Sequence, residues 1–289
     1  MSQRLLPVSD YDLGATLACG QAFRWKSAAD GWVGVIGNRW VRLAEQPKGL
    51  LATVAEPTTD WDWLEDYLQT RLDFDAVLRS FPNDAPLRAA VTACHGLRLL
   101  KQEPWECLAS FICSSTKRIV QIQQIVENLC ECFGAPVTVP VGHAPAYSFP
   151  SPERIAAAGE AELRACKMGF RAPNLLRTAV LVANGAVDLQ ALRLLPVEQA
   201  REELIQLPGV GRKIADCVLL FAYGFQEASP VDVWVRKALR QLYFPKRRPS
   251  AARLLKFSQT HFGPYAGYAQ QYLFHYMRTV RPRSTERSP

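Results

Sequence analysis

The chain has 289 residues, 48% hydrophobic and 21% charged, with a net charge of +7 and a pI near 9.0. That size and balance suit one large or two ordinary globular domains with a real core, and exclude a disordered or low-complexity chain. No apolar run approaches the roughly 20 residues of a membrane span, and no secretory signal opens the sequence.

The first hundred residues read as β-rich. Phe23 and Trp25 alternate with polar neighbours, and an Asp30-Gly31 pair follows. Residues 32–36 form a second apolar run, then Gly37-Asn38, then residues 40–43. Short runs separated by such two-residue turns predict an antiparallel meander. Helical periodicity begins near Thr59 and is broken by the Pro-containing stretch 80–86. From Glu103 onward the apolar residues recur at three- and four-residue spacing, which predicts helix nearly throughout. Gly134 closes one such run as a glycine beyond a helix end, and residues 135–150 read as a loop. Further helices are expected at 151–158, 160–167, 172–184, 196–206, 213–223, 233–243, 250–261 and 265–279. The expected class is α+β: a small N-terminal antiparallel β-sheet domain over residues 1–102, then a mainly α-helical bundle over 103–289. The C-terminal helix is expected to pack near the N-terminal part, and the helices between 61 and 78 suit either part.

Eight cysteines are present, none in a C-x-x-C pair and several in apolar helical runs, where cysteine packs as a small hydrophobe. Reduced thiols inside a cell are expected. The last cysteine is Cys217, so no C-terminal cysteine set is available for an iron–sulfur cluster.

The most informative segment is residues 207–217, LPGVGRKIADC. Pro208 ends one helical run, and Gly209 and Gly211 permit a tight hairpin. The next helix opens at about Arg212. Its first N–H groups lack intrahelical partners and sit at the positive end of the helix dipole, which suits a phosphate oxygen. Such donors read no base sequence. Outward carbonyls of the hairpin, from Ile205, Leu207 and Val210, are candidates to hold a monovalent or divalent cation. Lys213 falls in the first turn of this helix, beside Arg212, and is a candidate Schiff-base nucleophile. Nineteen residues later, after Ser-Pro-Val, stands Asp232 at the start of another helix. An N-cap carboxylate is rigidly held and ionised. The same fixed charge would stabilise a cationic sugar as a base departs, and would help the lysine lose its proton.

Charge is concentrated beyond this point. Val231 to Pro289 hold twelve Lys or Arg against Asp232 and Glu286, a net +10 that leaves −3 for the rest. A cationic field of this kind suits nucleic acid; residues 281–289 alone read as a solvated basic tail.

The run LPGVGRKIADC through SPVDVWVRKAL resembles the helix-hairpin-helix, Gly/Pro-rich, Asp motif of base-excision DNA glycosylases. CGQAFRW at residues 19–25 and GPYAGYAQQYLF at 263–274 resemble the two end signatures of the 8-oxoguanine DNA glycosylase family. The resemblance spans about residues 10–280 in consistent order. It implies a bifunctional enzyme, with Lys213 as nucleophile and abasic-site lyase and Asp232 as its acid. It implies that the Gly20 carbonyl accepts the N7–H unique to 8-oxoguanine, that Gln270 bonds the Watson–Crick edge, and that Phe274 and Cys217 sandwich the flipped base. Phe170 would fill the gap left in the duplex, and Arg171 would contact the widowed cytosine. Gly209, Gly211 and Arg212 would meet the phosphates. The sequence departs from the family where three Asn are expected: Thr116, Lys117 and Arg118 stand there. Gln121 replaces a second cytosine-reading Arg, and Trp234 replaces a His. With Thr116 and Gln121 at the DNA-facing positions, weaker preference for cytosine opposite the lesion is expected. No cofactor is required. The expected partner is double-stranded DNA, met by a monomer away from membranes, in the cytoplasm of a bacterium or a eukaryotic nucleus. The alternatives are a glycosylase for another oxidised or alkylated base, or a non-catalytic helix-hairpin-helix damage sensor. Branches that normally hold an iron–sulfur cluster fit less well.

Overall fold

The computed structural model describes residues 1–279; the basic tail expected at 281–289 lies outside that range. Five strands form an antiparallel sheet in the order β1-β5-β4-β3-β2. They are β1 (Ser2–Pro7), β2 (Lys26–Ala28), β3 (Gly31–Ile36), β4 (Arg39–Gln46) and β5 (Gly49–Val54). The expected meander is present from β2 to β5. Two details differ from expectation. The sheet gains β1, which pairs with β5 from Ser2↔Val54 to Pro7↔Gly49. Phe23 and Trp25 precede β2 and lie in irregular chain. Both are buried, so their alternation reflects burial of large rings in two different cores rather than a pleat.

Helix α1 (Leu13–Ala18) begins at an N-cap, Asp12, whose side chain accepts from Ala15 N. Helix α2 (Asp62–Leu68) ends at Gln69, which adopts φ +54°, and α3 (Phe74–Arg79) follows. This break decides which core each helix joins. Trp61, Leu64 and Leu68 pack with Leu6, Val41, Leu43 and Leu50 under the sheet, whereas Phe74 and Val77 join the helical core. So does α4 (Ala85–Ala93), through Leu87 and Ala90.

Helix α5 (Pro104–Ile112) is buried along nearly its whole length at the centre of the bundle, and α6 (Ile119–Phe133) buries one face in the same core. Gly134 has extended backbone, not the left-handed turn expected after a helix. A Cβ there would stand 2.1 Å from the Ser148 carbonyl, so close approach explains the glycine. The stretch after it is more than a loop. Strands β6 (Pro136–Val137) and β7 (Ala146–Tyr147) form a small ladder. Val137 packs on Val35 and Trp40, covering the outer face of the sheet.

Beyond it come α7 (Pro152–Ala157), the short α8 (Glu160–Leu163) and α9 (Ala172–Ala183). The helix expected over 160–167 unwinds early, because Lys167 has φ +65°. Then follow α10 (Val197–Ile205), α11 (Arg212–Val218, widening into a π-type turn through Tyr223), α12 (Val233–Tyr243), α13 (Ala251–His261) and α14 (Ala266–Thr279). Among the described residues, no helix is long and apolar enough to cross a membrane.

The C-terminal helix closes the molecule. Tyr268 and Tyr272 are fully buried. The Tyr268 hydroxyl accepts from Leu99 N at 3.1 Å, and that of Tyr272 donates to the Leu97 carbonyl at 3.1 Å. The C-terminal helix is thus tied to the segment that follows α4, 169 and 175 positions earlier in the chain.

Candidate active site

A cavity of about 660 Å³ opens where α6, α11, α12 and α14 converge on the segment after α1. Lys213 and Asp232 both line it, with Gly20, Phe23, Phe111 and Phe274 among the other walls. The volume falls in the range of about 300–1,000 Å³ usual for small-ligand sites.

Helix α11 brings Lys213 to this cavity. The hairpin before it turns at Gly209, where φ is +80°. There the Cβ of any other residue would stand 2.8 Å from the Cβ of Asn174 on α9. The next turn of α9 anchors the same loop, as Thr178 Oγ1 donates to the Pro208 carbonyl at 3.1 Å. Gly211 differs. Its φ is −98°, and a Cβ there would meet nothing within 4 Å. Both glycines were expected to serve the turn, but only Gly209 is demanded by it. Gly211 is the N-cap without a capping side chain. The first intrahelical bond runs from Ala215 N to the Gly211 carbonyl at 3.0 Å. The N–H groups of residues 212–214 therefore have no partner inside the helix. Arg212 is exposed beside them, with Nε 3.8 Å from Asp216 Oδ2. Asp216 is itself buried and accepts from Arg201 Nε at 2.6 Å, fixing α11 to α10.

The Lys213 side chain is half-buried, with Nζ 5.1 Å from the centroid of the Phe111 ring. Phe111 is held by stacking on Phe221 (5.7 Å, 15°) and an edge contact with Phe23 (5.5 Å). One turn on, Cys217 is buried. Burial pushes its thiol up to about 12, against the opposing pull of Lys213. Asp232 is the N-cap of α12, and its Oδ1 accepts from Val235 N at 2.8 Å. One carboxylate oxygen is thus fixed by the helix while the residue lines the cavity.

Gly20 and Phe274 line the other side. Gly20 has φ +81°, and a Cβ there would lie 2.4 Å from Ile119 Cδ1 and 3.8 Å from Phe274 Cε1. The other two expected base-contacting residues, Gln270 and Cys217, are not in the lining; each is 3% exposed. Ile119 packs against Gly20, so the slot expected between Phe274 and Cys217 is not open in this conformation. Gln270 Oε1 is buried without a hydrogen-bond partner, which marks it as a polar atom directed to something other than the fold.

The expected DNA-contacting residues divide. Phe170 is 61% exposed at the tip of the turn after α8, as a wedge requires. Arg171 is 3% exposed. It donates through Nε to the Ser115 carbonyl at 2.9 Å, to Thr116 Oγ1 at 2.7 Å and to the Met168 carbonyl at 3.1 Å. Its guanidinium carbon also lies 4.1 Å from the Phe170 ring centroid. In this conformation its donors serve the protein, not an outside base. Thr116 is exposed but has φ +57° and is an acceptor for that arginine. Gln121 caps α6, accepting from Arg118 N at 3.0 Å. The carbonyl of Leu207 already accepts from Val210 N at 3.0 Å, so one lone pair of the proposed cation set is engaged within the hairpin.

Sequence reasoning missed Phe23, Phe111, Ile119 and Arg278, which all line the cavity. Arg278 lies 5.2 Å from the Phe274 ring centroid. The signal for Arg278 was its i, i+4 spacing from Phe274; the others look like ordinary core.

Residues 5–108 match the family model described as the N-terminal domain of 8-oxoguanine DNA glycosylase, and 109–262 that of the HhH-GPD superfamily of base excision DNA repair proteins. The N-glycosylase/DNA lyase OGG1 of Arabidopsis thaliana is 30% identical, over 92% of this chain and 77% of its own. The 8-oxoguanine glycosylase/lyase of Clostridium acetobutylicum, solved with double-stranded DNA containing cytosine opposite 8-oxoG, superposes with a TM-score of 0.88. It shares 28% identity, covering 95% of this chain and 97% of that one. MBOgg1, solved with a low-affinity DNA ligand, superposes at 0.89 with 32% identity, covering 96% and 99%.

Proposed function

This chain belongs to the HhH-GPD superfamily of base excision DNA repair proteins and carries the 8-oxoguanine DNA glycosylase N-terminal domain; on that premise we propose that it excises 8-oxoguanine from duplex DNA and cleaves the strand at the abasic site. The observation that carries this reading is the convergence of Lys213, Asp232, Gly20 and Phe274 on one cavity, from four separated parts of the sequence.

The hairpin and the start of α11 grip the backbone through N–H groups, which leaves base choice to the cavity. Phe170 enters the stack as the damaged nucleotide swings out. Once Ile119 moves aside to open the slot, the Gly20 carbonyl accepts N7–H of the lesion, and Gln270 bonds its other edge. Guanine offers no hydrogen at N7, so it would leave the carbonyl unpaired at a cost of about 1–3 kcal/mol. Lys213 Nζ attacks C1′, and the C1′–N9 electron pair leaves with the base. Asp232 stabilises the positive sugar during that step and takes up the proton that the amine sheds. The ring opens to an imine on Lys213. Loss of a 2′ proton then expels the 3′ phosphate by β-elimination, and water releases the lysine. Main-chain carbonyls of Ile205, Leu207 and Val210 would be the donors for a hard cation, which would supply positive charge for a backbone phosphate. The proposed active unit is a monomer, in which Lys213, Asp232, Gly20 and Phe274 of the same chain line the cavity.

The test is a panel of duplexes carrying 8-oxoguanine, oxidised pyrimidines or alkylated purines, with released bases identified by mass. Release of 8-oxoguanine with strand cleavage is expected; selective release of an alkylated purine would replace this reading.

A further inference from the structure

The Gly20 carbonyl is flanked by two carbonyls that are both already engaged. Gln271 Nε2 donates to the Cys19 carbonyl at 3.2 Å, and Gln102 Nε2 donates to the Gln21 carbonyl at 2.8 Å. The Gln21 side chain is fully buried and makes four further bonds, one of them from Nε2 to Cys19 Sγ at 3.3 Å. It donates to the carbonyls of Thr16 and Arg98, both at 2.8 Å, and accepts from Leu100 N at 2.8 Å. Among the described residues, none donates to the Gly20 carbonyl. The loop is therefore fixed on both sides of one free acceptor, on a residue that lines the cavity beside Ile119 and Phe274. Gln271 is 3% exposed and adjoins Gln270 on α14. That helix thus carries both a proposed base contact and a brace for the opposite one.

We propose that Gln271 is a positioning residue for lesion discrimination, holding the Cys19–Gly20 peptide so that the Gly20 carbonyl meets N7–H of the flipped base. The proposal rests on the reading of Gly20 given above. Its physical basis is that a one-hydrogen-bond distinction needs its acceptor fixed to a fraction of an ångström. Gly20 has no Cβ to restrict its backbone, so the peptides on either side of it turn readily unless their neighbours hold them. Gln271 touches no reacting atom, so it acts through Gly20.

The test separates base recognition from the rest of the machinery. Gln271→Met keeps the length of the side chain and removes the donor. Single-turnover excision of 8-oxoguanine is expected to fall about tenfold, while cleavage of a preformed abasic duplex stays within about twofold of wild type. Gln102→Met removes the brace on the other side, and the same split is expected should the first variant fold poorly. Unchanged 8-oxoguanine excision in both variants would overturn the proposal. So would a parallel fall in both activities, which would mark a merely structural role. A wild-type protein that excises a different base and spares 8-oxoguanine would remove the substrate reading, and this proposal with it.

Discussion

Gly211 is a glycine that the fold does not require. Its backbone is extended and its missing Cβ faces open space, yet it caps the helix proposed to hold phosphate. Gly211→Ser is the informative change. A serine hydroxyl at an N-cap accepts from the N–H two or three residues on, here Lys213 or Ile214. The fold should tolerate it: replacing Gly by Ser at a cap changes stability by a few tenths of a kcal/mol, within about 0.5 kcal/mol. DNA should not tolerate it, because the hydroxyl occupies a donor meant for a phosphate oxygen. A hydrogen bond to a charged group is worth about 1.5–3 kcal/mol. Part of that survives through the remaining N–H groups. The net loss is about 1–2 kcal/mol, or roughly 5- to 30-fold in Kd. Gly209→Ala is the control with the opposite signature. A positive φ costs a non-glycine about 1–2 kcal/mol, and overlap with packed atoms about 1–3 kcal/mol more; the Asn174 Cβ 2.8 Å away supplies that overlap. Urea unfolding and fluorescence anisotropy on a duplex with a stable abasic analogue measure both quantities. Gly211→Ser with wild-type affinity, or with affinity lost only in step with stability, would refute the phosphate role.

Three further outcomes are expected. Asp232→Asn keeps an equally good N-cap, so the Tm should hold while excision falls by about 10²- to 10³-fold; a variant with near wild-type rate would remove Asp232 from the chemistry. Arg171 is committed to Ser115, Thr116 and Met168, so excision opposite cytosine, adenine, guanine and thymine should agree within about fivefold. A preference for cytosine above about 100-fold, equivalent to about 2.7 kcal/mol, would show that Arg171 leaves this position to read the base. Glu106 is lifted by burial to about 7, despite the pull of Arg24. Its carboxyl keeps a proton in the folded state where the unfolded chain has lost it, so its contribution to stability falls as pH rises from about 4.5 to about 7 and then levels off. The Tm of Glu106→Gln should therefore fall less than that of wild type between pH 5 and pH 8; equal slopes would contradict this.

The parts of the site legible in sequence were those set by local rules. The 207–217 hairpin and the cap at Asp232 follow from backbone chemistry within a few residues, and both stand where expected. Helical spacing put Gln270 and Phe274 on one face of a helix, but only Phe274 lines the cavity. What escaped was set by distant contacts. Gln271 looked like one more polar residue in an amphipathic helix, and only the fold brings it to Cys19, 252 positions away. Phe111 and Phe23 carry no pattern that separates a cavity wall from a core. Arg171 matched a motif for reading DNA, but its burial against the 115–116 turn depends on a positive φ at Thr116 that nothing local announces. The sheet was foreseen as a meander, while β1 and its pairing with β5 required knowing that the chain ends of the sheet meet.

Borohydride trapping bears most directly on the chemistry. Incubating the protein with an 8-oxoguanine duplex and reducing the imine should leave DNA covalently attached to the peptide containing Lys213, with no adduct in Lys213→Gln. An adduct that persists in Lys213→Gln, or that maps to another residue, would contradict Lys213 as the nucleophile.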